Sequence, residues 1–524
     1  MHAKGGGAHG IFEATHDISE LCCTKMFNKG KMTPVTVRFS TVGGESGSHD
    51  AARDPRGFSI KFRTEEGNMD WVFNSTPVFF LRDPAKFPHF IHTQKRHPDS
   101  HLTHADDSTH FWDYVGQNPE SVHQMMWLMG PRGIPKSWRH MQGYSGHTFK
   151  FVNDKGEWKY CQIHILSDQG VECFTSAEAA QQSPDCHQKD LFEAIQQGNY
   201  PSWKVKFQAA THQELTAAGV NPFDLTQIWP HAKFPLKEMG KLTLNQNVQN
   251  YFAEIEQIAF TPAHLVDGFE PSADPVLQSR LFSYPDTHRH RIGVNYQQLP
   301  INAPSNIQHK MFNFQRDGQS AFVNQGNKPL HLSSLNPPEL TGRQYGQDDI
   351  RNGRDGHAIS YLSGVTRKDF ENPKALWNKV FTEQDRKTWI ETVSGHMSTT
   401  KDTSVLARAI SVWHQVDADM ASQLAQKVGV ATYEKDLAKM RFIGSHNYEA
   451  GLSALEMFAE LYPDRWVGTS APPTLPKEQI HAGEAPDTGE AFQQGSDGHQ
   501  LARNGHANGQ GHSLVDKVKS ALRA

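Results

Sequence analysis

The sequence predicts an α+β fold, in which an antiparallel β-barrel or sandwich precedes a long irregular segment and a C-terminal helical domain. Three observations predict this order. Apolar and polar residues alternate between residues 35 and 211, the stretch 223–372 is rich in Pro and Asn, and apolar residues recur at helical spacing after Pro373. We therefore expect a barrel at 1–222, a wrapping segment at 223–372, a helical domain at 373–466 and a tail at 467–524.

The first region contains short segments that each place apolar residues on one face of a strand. In VTVRF, for example, Val35, Val37 and Phe39 alternate with polar residues. The segments are VTVRF (35–39), FSIKF (58–62), HTFKFV (147–152), EWKYCQIHI (157–165) and SWKVKF (202–207). Few long helical patterns separate them, which favours antiparallel pairing.

The stretch 223–372 is far longer than an ordinary loop, and we expect it to wrap over another part of the protein. After it, apolar residues fall on one helix face at three- and four-residue intervals. These are Trp377, Val380 and Phe381, then Trp389, Ile390 and Val393, then Leu406, Ile410 and Trp413. The pattern predicts a small helical bundle that ends near Tyr462.

The tail at 467–524 has few large apolar side chains and is rich in Pro, Gly, Gln, Ser and His. Such a composition cannot bury enough surface to offset the entropy of ordering, so we expect disorder. Its last residues, SLVDKVKSALRA, allow a short helix capped by Ser513, but a helix of this length is marginal alone.

Charge and composition exclude several classes of protein. The 524 residues carry 52 Lys and Arg against 57 Asp and Glu, so neither nucleic acid nor an anionic membrane is an expected partner. The start, MHAKGGGAHG, lacks the apolar stretch of a signal peptide, and no segment is apolar enough to span a membrane. Five cysteines without a CxxC pair and the ending Ala-Leu-Arg-Ala favour the cytoplasm over an oxidising compartment or the peroxisome.

The segment DPVLQSRLFSYPDTHRHR (274–291) predicts a helix with a specific pair of side chains. Asp274 before Pro275 is a typical start, and four-residue spacing places Arg280 next to Tyr284. A guanidinium beside a phenol stabilises the phenolate, which is a ligand for ferric iron. Alone, such a pair is more often structural. A zinc or non-haem iron site at His288 and His290 is a weaker alternative, because no carboxylate or cysteine stands at ligand spacing.

The segment RLFSYPDTHRHR resembles the haem-ligand signature of the catalase family. The resemblance extends from residue 2 to about 460, through HAKGGGAHGIFEATHDI, the run from VRFSTVGGESGSHD to FLRDPAKFPHFIH, NPFDLTQIWPH and NYFAEIEQIAF. It implies an eight-stranded antiparallel β-barrel, haem b bound through Tyr284, a homotetramer, and the conversion of hydrogen peroxide to water and oxygen.

The same resemblance implies roles for individual residues. His2 matches the distal base and Asn74 the distal amide, while Ser40 matches the serine that holds the imidazole. Arg38 and Arg291 match arginines that pair with haem propionates. The remaining matches are His147 and Asp274 near the proximal side, and Phe79, Phe80 and Phe87 in the pocket and channel. The distal pocket would then belong to 1–222, and the proximal ligand to 223–372.

Many catalases of this size also bind NADPH, and six residues stand at matching places: His123, Arg132, Tyr144, His164, Trp229 and His231. The match is incomplete, since Leu166, Gly130 and Gln142 replace residues that are usual in NADPH binders. Leu166 removes a lysine and its positive charge. The sequence leaves NADPH binding open.

Catalases normally carry an arm before the distal histidine, and here Met1 directly precedes His2. We expect a start codon assigned too late in the gene, or a truncated chain. Three hypotheses follow. The first is an active catalase, and the second is a haem-binding or haem-storage protein that gains activity when the upstream residues are restored. The third is a haem enzyme that acts on lipid hydroperoxides. The last needs a wider channel than Phe79, Phe80 and Phe87 suggest.

Overall fold

The structure, a computed structural model, describes residues 2–44, 47–305, 317–322, 324, 326–327, 329–331, 334 and 364–463. All of them belong to one compact unit, assembled from residues 1–343 and 361–486. A second unit, 344–360 with 487–524, lies outside the described residues, as does the predicted tail at 467–524. Within the described ranges, no helix is long and apolar enough to cross a membrane.

Eight strands close into an antiparallel barrel, in the order β7-β5-β4-β3-β2-β1-β9-β8, with β8 pairing back to β7. Two further strands, β6 and β10, extend the sheet from β7. The strands are β1 (Gly5–Ala14), β2 (Met32–Ser40), β3 (Gly57–Thr64), β4 (Gly67–Asn74), β5 (Gly143–Tyr144), β6 (Phe149–Val152), β7 (Trp158–Ser167), β8 (Ser202–Ala210), β9 (Lys237–Gln246) and β10 (Phe269–Pro271). The expected eight-stranded antiparallel barrel is confirmed.

Aromatic side chains fill the inside of the barrel. Phe39 on β2 and Phe58 on β3 lie 4.7 Å apart between ring centroids, and Trp71 on β4 is fully buried. Because successive strand residues point to opposite faces, the neighbours Arg38 and Ser40 point outward. The inward alternation stabilises the fold, and the outward positions are free to form a site.

Strand β1 begins with three glycines, a composition that does not predict a strand. Its neighbours require them. A Cβ on Gly6 would lie 2.5 Å from the ring of Trp138, and one on Gly7 would lie 2.0 Å from the carbonyl oxygen of Val37. The glycines therefore permit close packing that no other residue allows there.

Twelve helices are described: α1 (Phe87–His92), α2 (Thr109–Gln117), α3 (Val122–Met129), α4 (Ser176–Ala179), α5 (Cys186–Gln196), α6 (His212–Ala217), α7 (Pro275–Arg291), α8 (Lys368–Ala375), α9 (Glu383–Met397), α10 (Thr403–Val416), α11 (Ala418–Val428) and α12 (Ala454–Leu461). Helices α1–α3, inserted between β4 and β5, share an apolar core with α8–α12. Trp413 lies 6.3 Å from Trp112 and 4.9 Å from Trp389 between ring centroids. The helical layer thus combines two distant parts of the chain.

Two sequence-based expectations differ from the structure. The segment 223–372 was expected to be irregular, yet Lys237–Gln246 completes the barrel as β9, with Leu242 and Leu244 facing inward. Val380 was expected on the buried helix face, and it is 61% exposed. Leu376–Val380 forms a π-helical turn, whose wider hydrogen-bond spacing rotates Val380 away from the core.

Candidate active site

A cavity of about 510 Å³, including its open mouth, lies between the outer face of β2–β4 and helix α7. Its walls are His2, Arg38, Ser40, Gly57, Ser59, Val72, Phe73, Asn74, Ile258, Phe260, Tyr284, Thr287, His288 and Arg291. Of the fourteen, six were expected at a haem site from the sequence: His2, Arg38, Ser40, Asn74, Tyr284 and Arg291.

The register of the barrel places the strand residues of this wall. Ser40 is paired with Gly57, and Gly57 with Asn74, so one row crosses β2, β3 and β4. Two residues along, Arg38 is paired with Ser59, which is paired with Val72 on β4. These rows alternate with the aromatic rows of the interior, and they present their side chains to the cavity.

His2 lies at one end of the first row. Its Nδ1 is 2.8 Å from Oγ of Ser40, and Arg38 donates to the carbonyl oxygen of His2 at 3.0 Å. Burial in the cavity, followed by the charge of Arg38, lowers the pKa of His2 to about 3. The imidazole is therefore neutral near pH 7 and can accept a proton.

Gly57 faces this pair from β3 and was not identified from the sequence. A Cβ there would lie 2.5 Å from Oγ of Ser40 and 3.1 Å from Nδ1 of His2. The glycine thus leaves room for the His2–Ser40 hydrogen bond. Its position directly before the strand segment FSIKF, on the outward phase of the alternation, is the sequence signal that could have identified it.

Tyr284 and Arg280 form the opposite wall on α7. Nη2 of Arg280 donates to the Tyr284 hydroxyl at 2.9 Å and to the carbonyl oxygen of Val72 at 2.7 Å. The guanidinium therefore joins the phenol to the barrel strand β4. The four-residue spacing brings the two side chains together, and the phenol oxygen has a cationic donor beside it.

His147 and Asp274 lie at the start of α7 and are not among the residues that line the cavity. Nδ1 of His147 is 2.6 Å from Oδ2 of Asp274, while Oδ1 of Asp274 accepts from the backbone N–H of Val276 at 2.9 Å and of Leu277 at 3.2 Å. Asp274 is thus the N-cap of α7, and burial lowers the pKa of His147. The pair fixes the helix that carries Tyr284.

Two guanidiniums give the cavity a positive wall. Burial, then the charge of Arg291, lowers the pKa of Arg38 to about 10. Nε of Arg38 is buried without a hydrogen-bond partner among the described residues, and no acidic residue is among those that line the cavity. Arg291 donates to the carbonyl oxygens of Glu256 at 2.5 Å and Ile258 at 2.6 Å. The two side chains provide a site for carboxylates.

These residues fit a haem. The phenol of Tyr284 can serve as an iron ligand and has the cationic Arg280 beside it. The wall of Arg38 and Arg291 suits two propionates. Nε of Arg38, which has no hydrogen-bond partner among the described residues, can donate to a propionate oxygen. Val72, Ile258 and Phe260 supply apolar surface. The residues present therefore suit the porphyrin as well as the iron.

The three phenylalanines expected at the pocket are not among the lining residues of the cavity. Phe80 is 2% exposed in the helical core, Phe79 is 5.5 Å from it between ring centroids, and Phe87 stacks on Phe79 at 6.4 Å. They pack with the helices because β4 has ended before residue 79 and the chain has turned towards α1. A place along a channel stays a prediction.

His288 lines the cavity and has a structural contact. Its Nε2 is 2.6 Å from the carbonyl oxygen of Phe260, and burial lowers its pKa to about 4. His290, two residues on, is exposed. Among the described residues, neither belongs to a group of potential ligands within metal-binding distance, so a zinc or non-haem iron site here is not supported.

Four of the six residues expected at an NADPH site lie together. Arg132 donates to the Tyr144 hydroxyl at 3.3 Å, and Tyr144 on β5 is paired with His164 on β7. His164 lies 5.7 Å from His231 between ring centroids. A guanidinium, a phenol and two imidazoles thus share one region outside the haem cavity.

The other two residues, His123 and Trp229, are each 2% exposed. Nδ1 of His123 is 3.1 Å from the carbonyl oxygen of Thr226, and burial lowers its pKa to about 4. Gln208 links this layer to the first group, because it contacts His164 at 3.1 Å and donates to the Trp229 carbonyl oxygen at 3.3 Å.

Comparison with known proteins places this site in a family. Residues 1–336 match the family described as Catalase, and residues 365–428 match the one described as Catalase-related immune-responsive. The chain is 48% identical over 434 residues to a peroxisomal catalase of Candida albicans, covering 82% of this chain and 88% of that one. It is 48% identical over 448 residues to a catalase of Schizosaccharomyces pombe, covering 84% and 85%.

A solved structure, catalase A from Saccharomyces cerevisiae, superposes with a TM-score of 0.76 at 42% identity, covering 82% of this chain and 88% of that one. A fungal catalase superposes with a TM-score of 0.74 at the same identity, covering 82% and 86%. Sequence, fold and coverage agree, and the chain belongs to the catalase family.

Proposed function

We propose that this chain converts two molecules of hydrogen peroxide into two of water and one of oxygen, at a haem held between α7 and the outer face of β2–β4. One observation carries the proposal: the Arg280–Tyr284 pair and the His2–Ser40 pair line opposite walls of the same cavity. The relatives named catalase support the reaction.

Haem, when bound, would supply an iron centre that one peroxide oxidises by two electrons and a second peroxide reduces by two electrons. Tyr284 would hold that iron from α7, and the hydrogen bond that Arg280 donates to the phenol oxygen at 2.9 Å would orient this ligand. Arg38 and Arg291 would pair with the two propionates and so orient the porphyrin in the cavity.

His2 moves a proton between the two oxygens of the substrate. Its neutral imidazole accepts the proton from one peroxide oxygen and returns it to the other, which leaves as water. Ser40 fixes Nδ1, so Nε2 carries out the transfer. The Asn74 amide, on the same row of the sheet, donates a hydrogen bond that orients peroxide without competing for its proton.

Membership of the catalase family favours this reaction over the two alternatives from the sequence, a haem-storage protein and a lipid-hydroperoxide enzyme. A haem-storage protein should release no oxygen from peroxide. A lipid-hydroperoxide enzyme should release oxygen more slowly than it consumes a fatty-acid hydroperoxide. Assay of the haem-loaded protein with both substrates separates the three.

The decisive test uses three variants in an oxygen electrode, with haem content measured by absorption. His2→Asn should retain haem and lose about 10²–10⁴-fold in rate, the range for a general acid–base. Tyr284→Phe should lose the tyrosinate absorption and most of its haem. Tyr114→Phe, which removes a buried hydroxyl without a partner among the described residues, is the matched control. Full activity in His2→Asn would overturn the proposal.

NADPH binding is proposed at the region of Arg132, Tyr144, His164 and His231. Arg132 provides a charge for a phosphate and the rings provide stacking surface. Leu166 on β7 is at the position where a lysine is usual, so affinity should be weak. Leu166→Lys should tighten NADPH binding about tenfold in a fluorescence titration, and Arg132→Gln should weaken it. Equal titrations for all three proteins would exclude the site.

A homotetramer is proposed from family membership, and sedimentation equilibrium of the full chain measures it. A monomer at micromolar concentration would contradict this assembly. The cytoplasmic location expected from the sequence stands as a proposal, whereas four relatives are named peroxisomal catalase. Fluorescence microscopy of the chain, labelled internally so that both ends are kept, distinguishes the two compartments.

A further inference from the structure

Three histidines outside the haem cavity face one another at the surface of the protein. They are His97, His104 and His110, in the loop between α1 and α2 and in the first turn of α2. Their ring centroids are separated by 4.1 Å for His97 and His104, 5.0 Å for His104 and His110, and 5.4 Å for His97 and His110. No role in the peroxide reaction accounts for this cluster.

The backbone brings the three together by local structure. An antiparallel bridge joins Arg96 to Thr103 and brings together the two short segments that carry His97 and His104, whose ring centroids lie 4.1 Å apart. The backbone N–H of His97 donates to the Leu102 carbonyl oxygen at 2.9 Å and closes the hairpin. The arrangement is therefore built by the fold rather than by chance contact of long side chains.

The approach of His110 is fixed by a second element. Asp107 accepts from the backbone N–H of Thr109 at 3.0 Å at the start of α2, and its other oxygen is 3.2 Å from Nζ of Lys401. Helix α2 thus begins at a defined place, one residue before His110. The cluster joins a hairpin to an anchored helix.

We propose that His97, His104 and His110 bind a divalent transition-metal ion, with Zn²⁺ as the reference ion. One nitrogen of each imidazole lies within 4.8 Å of the others. In a tetrahedral zinc site with Zn–N of about 2.0–2.1 Å, ligand nitrogens lie about 3.3 Å apart. Side-chain rotations that close the gap by at most about 1.5 Å complete the site.

A second observation points to a ligand here. Nδ1 of His104 is buried and has no hydrogen-bond partner among the described residues. A buried polar nitrogen normally has a partner, and a metal ion satisfies it without a donor or acceptor from the protein. His110 is exposed, so an ion can reach the cluster from solvent. Three imidazoles leave the fourth position of the ion to water.

Imidazole ligands suit Zn²⁺, Cu²⁺ and Ni²⁺, whereas Mg²⁺ and Ca²⁺ require oxygen ligands. The ion would join the hairpin at 96–103 to α2 and restrict a loop that Lys95 already ties to the carbonyl oxygen of Gly43 at 3.0 Å. The site therefore braces the α1–α2 loop, and it is independent of the haem.

The test titrates the haem-loaded, untagged protein with Zn²⁺ after dialysis against a chelator. His110→Asn and His104→Asn should each weaken the tightest equivalent by at least about tenfold, since even an outer-shell partner contributes that much. His101→Asn is the matched control: it is exposed, lies in the same loop outside the cluster, and has a φ of +57° that Asn tolerates. Peroxide turnover should be unchanged in His110→Asn.

Histidines in the tail, such as His481, His499, His506 and His512, add weak sites that are equal in all four proteins. Zinc-edge X-ray absorption identifies the tight site by three imidazole ligands, and the haem iron does not interfere. Equal tight binding in wild type, His104→Asn and His110→Asn would overturn the proposal, as would fewer than three imidazoles at the tight site. Mg²⁺ should not compete.

Discussion

Oγ of Ser40 lies 2.8 Å from Nδ1 of His2, and this contact orients the base of the active site. His2 precedes β1 and has a φ of +50°, so its own backbone does not place it in a regular element. Ser40, by contrast, is the last residue of β2 and is fixed by the register of the barrel. The position of the His2 imidazole is therefore fixed by its hydrogen bond to a residue of the barrel.

Ser40→Ala should lower kcat/KM about two- to tenfold and leave haem content unchanged. The reason is the loss of one hydrogen bond, about 0.5–1.5 kcal/mol, from the imidazole that transfers the proton. Thr36→Ala is the control, because Thr36 lies on β2 like Ser40 but outside the cavity. It also removes a hydroxyl from a histidine, since Oγ1 of Thr36 is 3.0 Å from Nδ1 of His9 on β1. An equal fall in both variants would contradict a specific role for Ser40.

Gly57→Ala should reduce peroxide turnover at least tenfold in a protein that still folds. The added methyl group would lie 2.5 Å from Oγ of Ser40, so the His2–Ser40 pair must separate. Gly395→Ala in α9, where a Cβ meets nothing within 4 Å, should leave turnover unchanged and stabilise the helix. Circular dichroism and oxygen release measure both effects. Normal turnover in Gly57→Ala would show that the pair tolerates displacement.

The wall of Arg38 and Arg291 predicts selectivity for a porphyrin with free carboxylates. The apoprotein should bind haem at least tenfold more tightly than its dimethyl ester, because each charge-assisted hydrogen bond contributes about 1.5–3 kcal/mol. Arg291→Gln should reduce that difference in affinity, because it should weaken the binding of haem but not the binding of the ester. Absorption titration measures both ligands. Equal loss of affinity for haem and ester would indicate that Arg291 acts on the fold instead.

The lowered pKa of His2 predicts activity that persists in acid. With a pKa of about 3, the imidazole is almost wholly neutral at pH 4.5, whereas an ordinary histidine near 6.5 would be about 1% neutral. Because the neutral form is the base, kcat/KM should change less than twofold from pH 7 to 4.5 and fall only as pH approaches 3. Stopped-flow mixing measures the rate before unfolding. A hundredfold decrease by pH 4.5 would be contrary to this.

The elements with clear periodicity were predictable from the sequence. Phe39, Phe58 and Phe207 face the inside of the barrel as the alternation predicts, and Trp389 and Trp413 lie in the helical core. The helix start at Asp274 and the contact of Arg280 with Tyr284 follow from capping and helical spacing. Local rules suffice where one face of an element is buried.

Other features depend on distant neighbours and were not predictable. The glycines of β1 are explained by Trp138 and Val37, which lie far along the chain. Helices α1–α3 pack against the C-terminal helices in one apolar core, and no local sequence pattern indicates this long-range contact. At the site, Gly57, Ser59 and Val72 carry no chemical signature, and only the register of the barrel shows that they form a wall. Family resemblance supplied His2 and Asn74.

The alternation of β2–β4 has a consequence for how the chain can vary. Point changes at outward positions alter the reaction and leave the interior intact, so activity can drift while the barrel persists. Insertion or deletion of one residue within β2 would instead exchange Arg38 with Phe39, burying a charge and exposing a ring in a single event. These strands should therefore accept substitution but reject length changes, which ought to be confined to their turns.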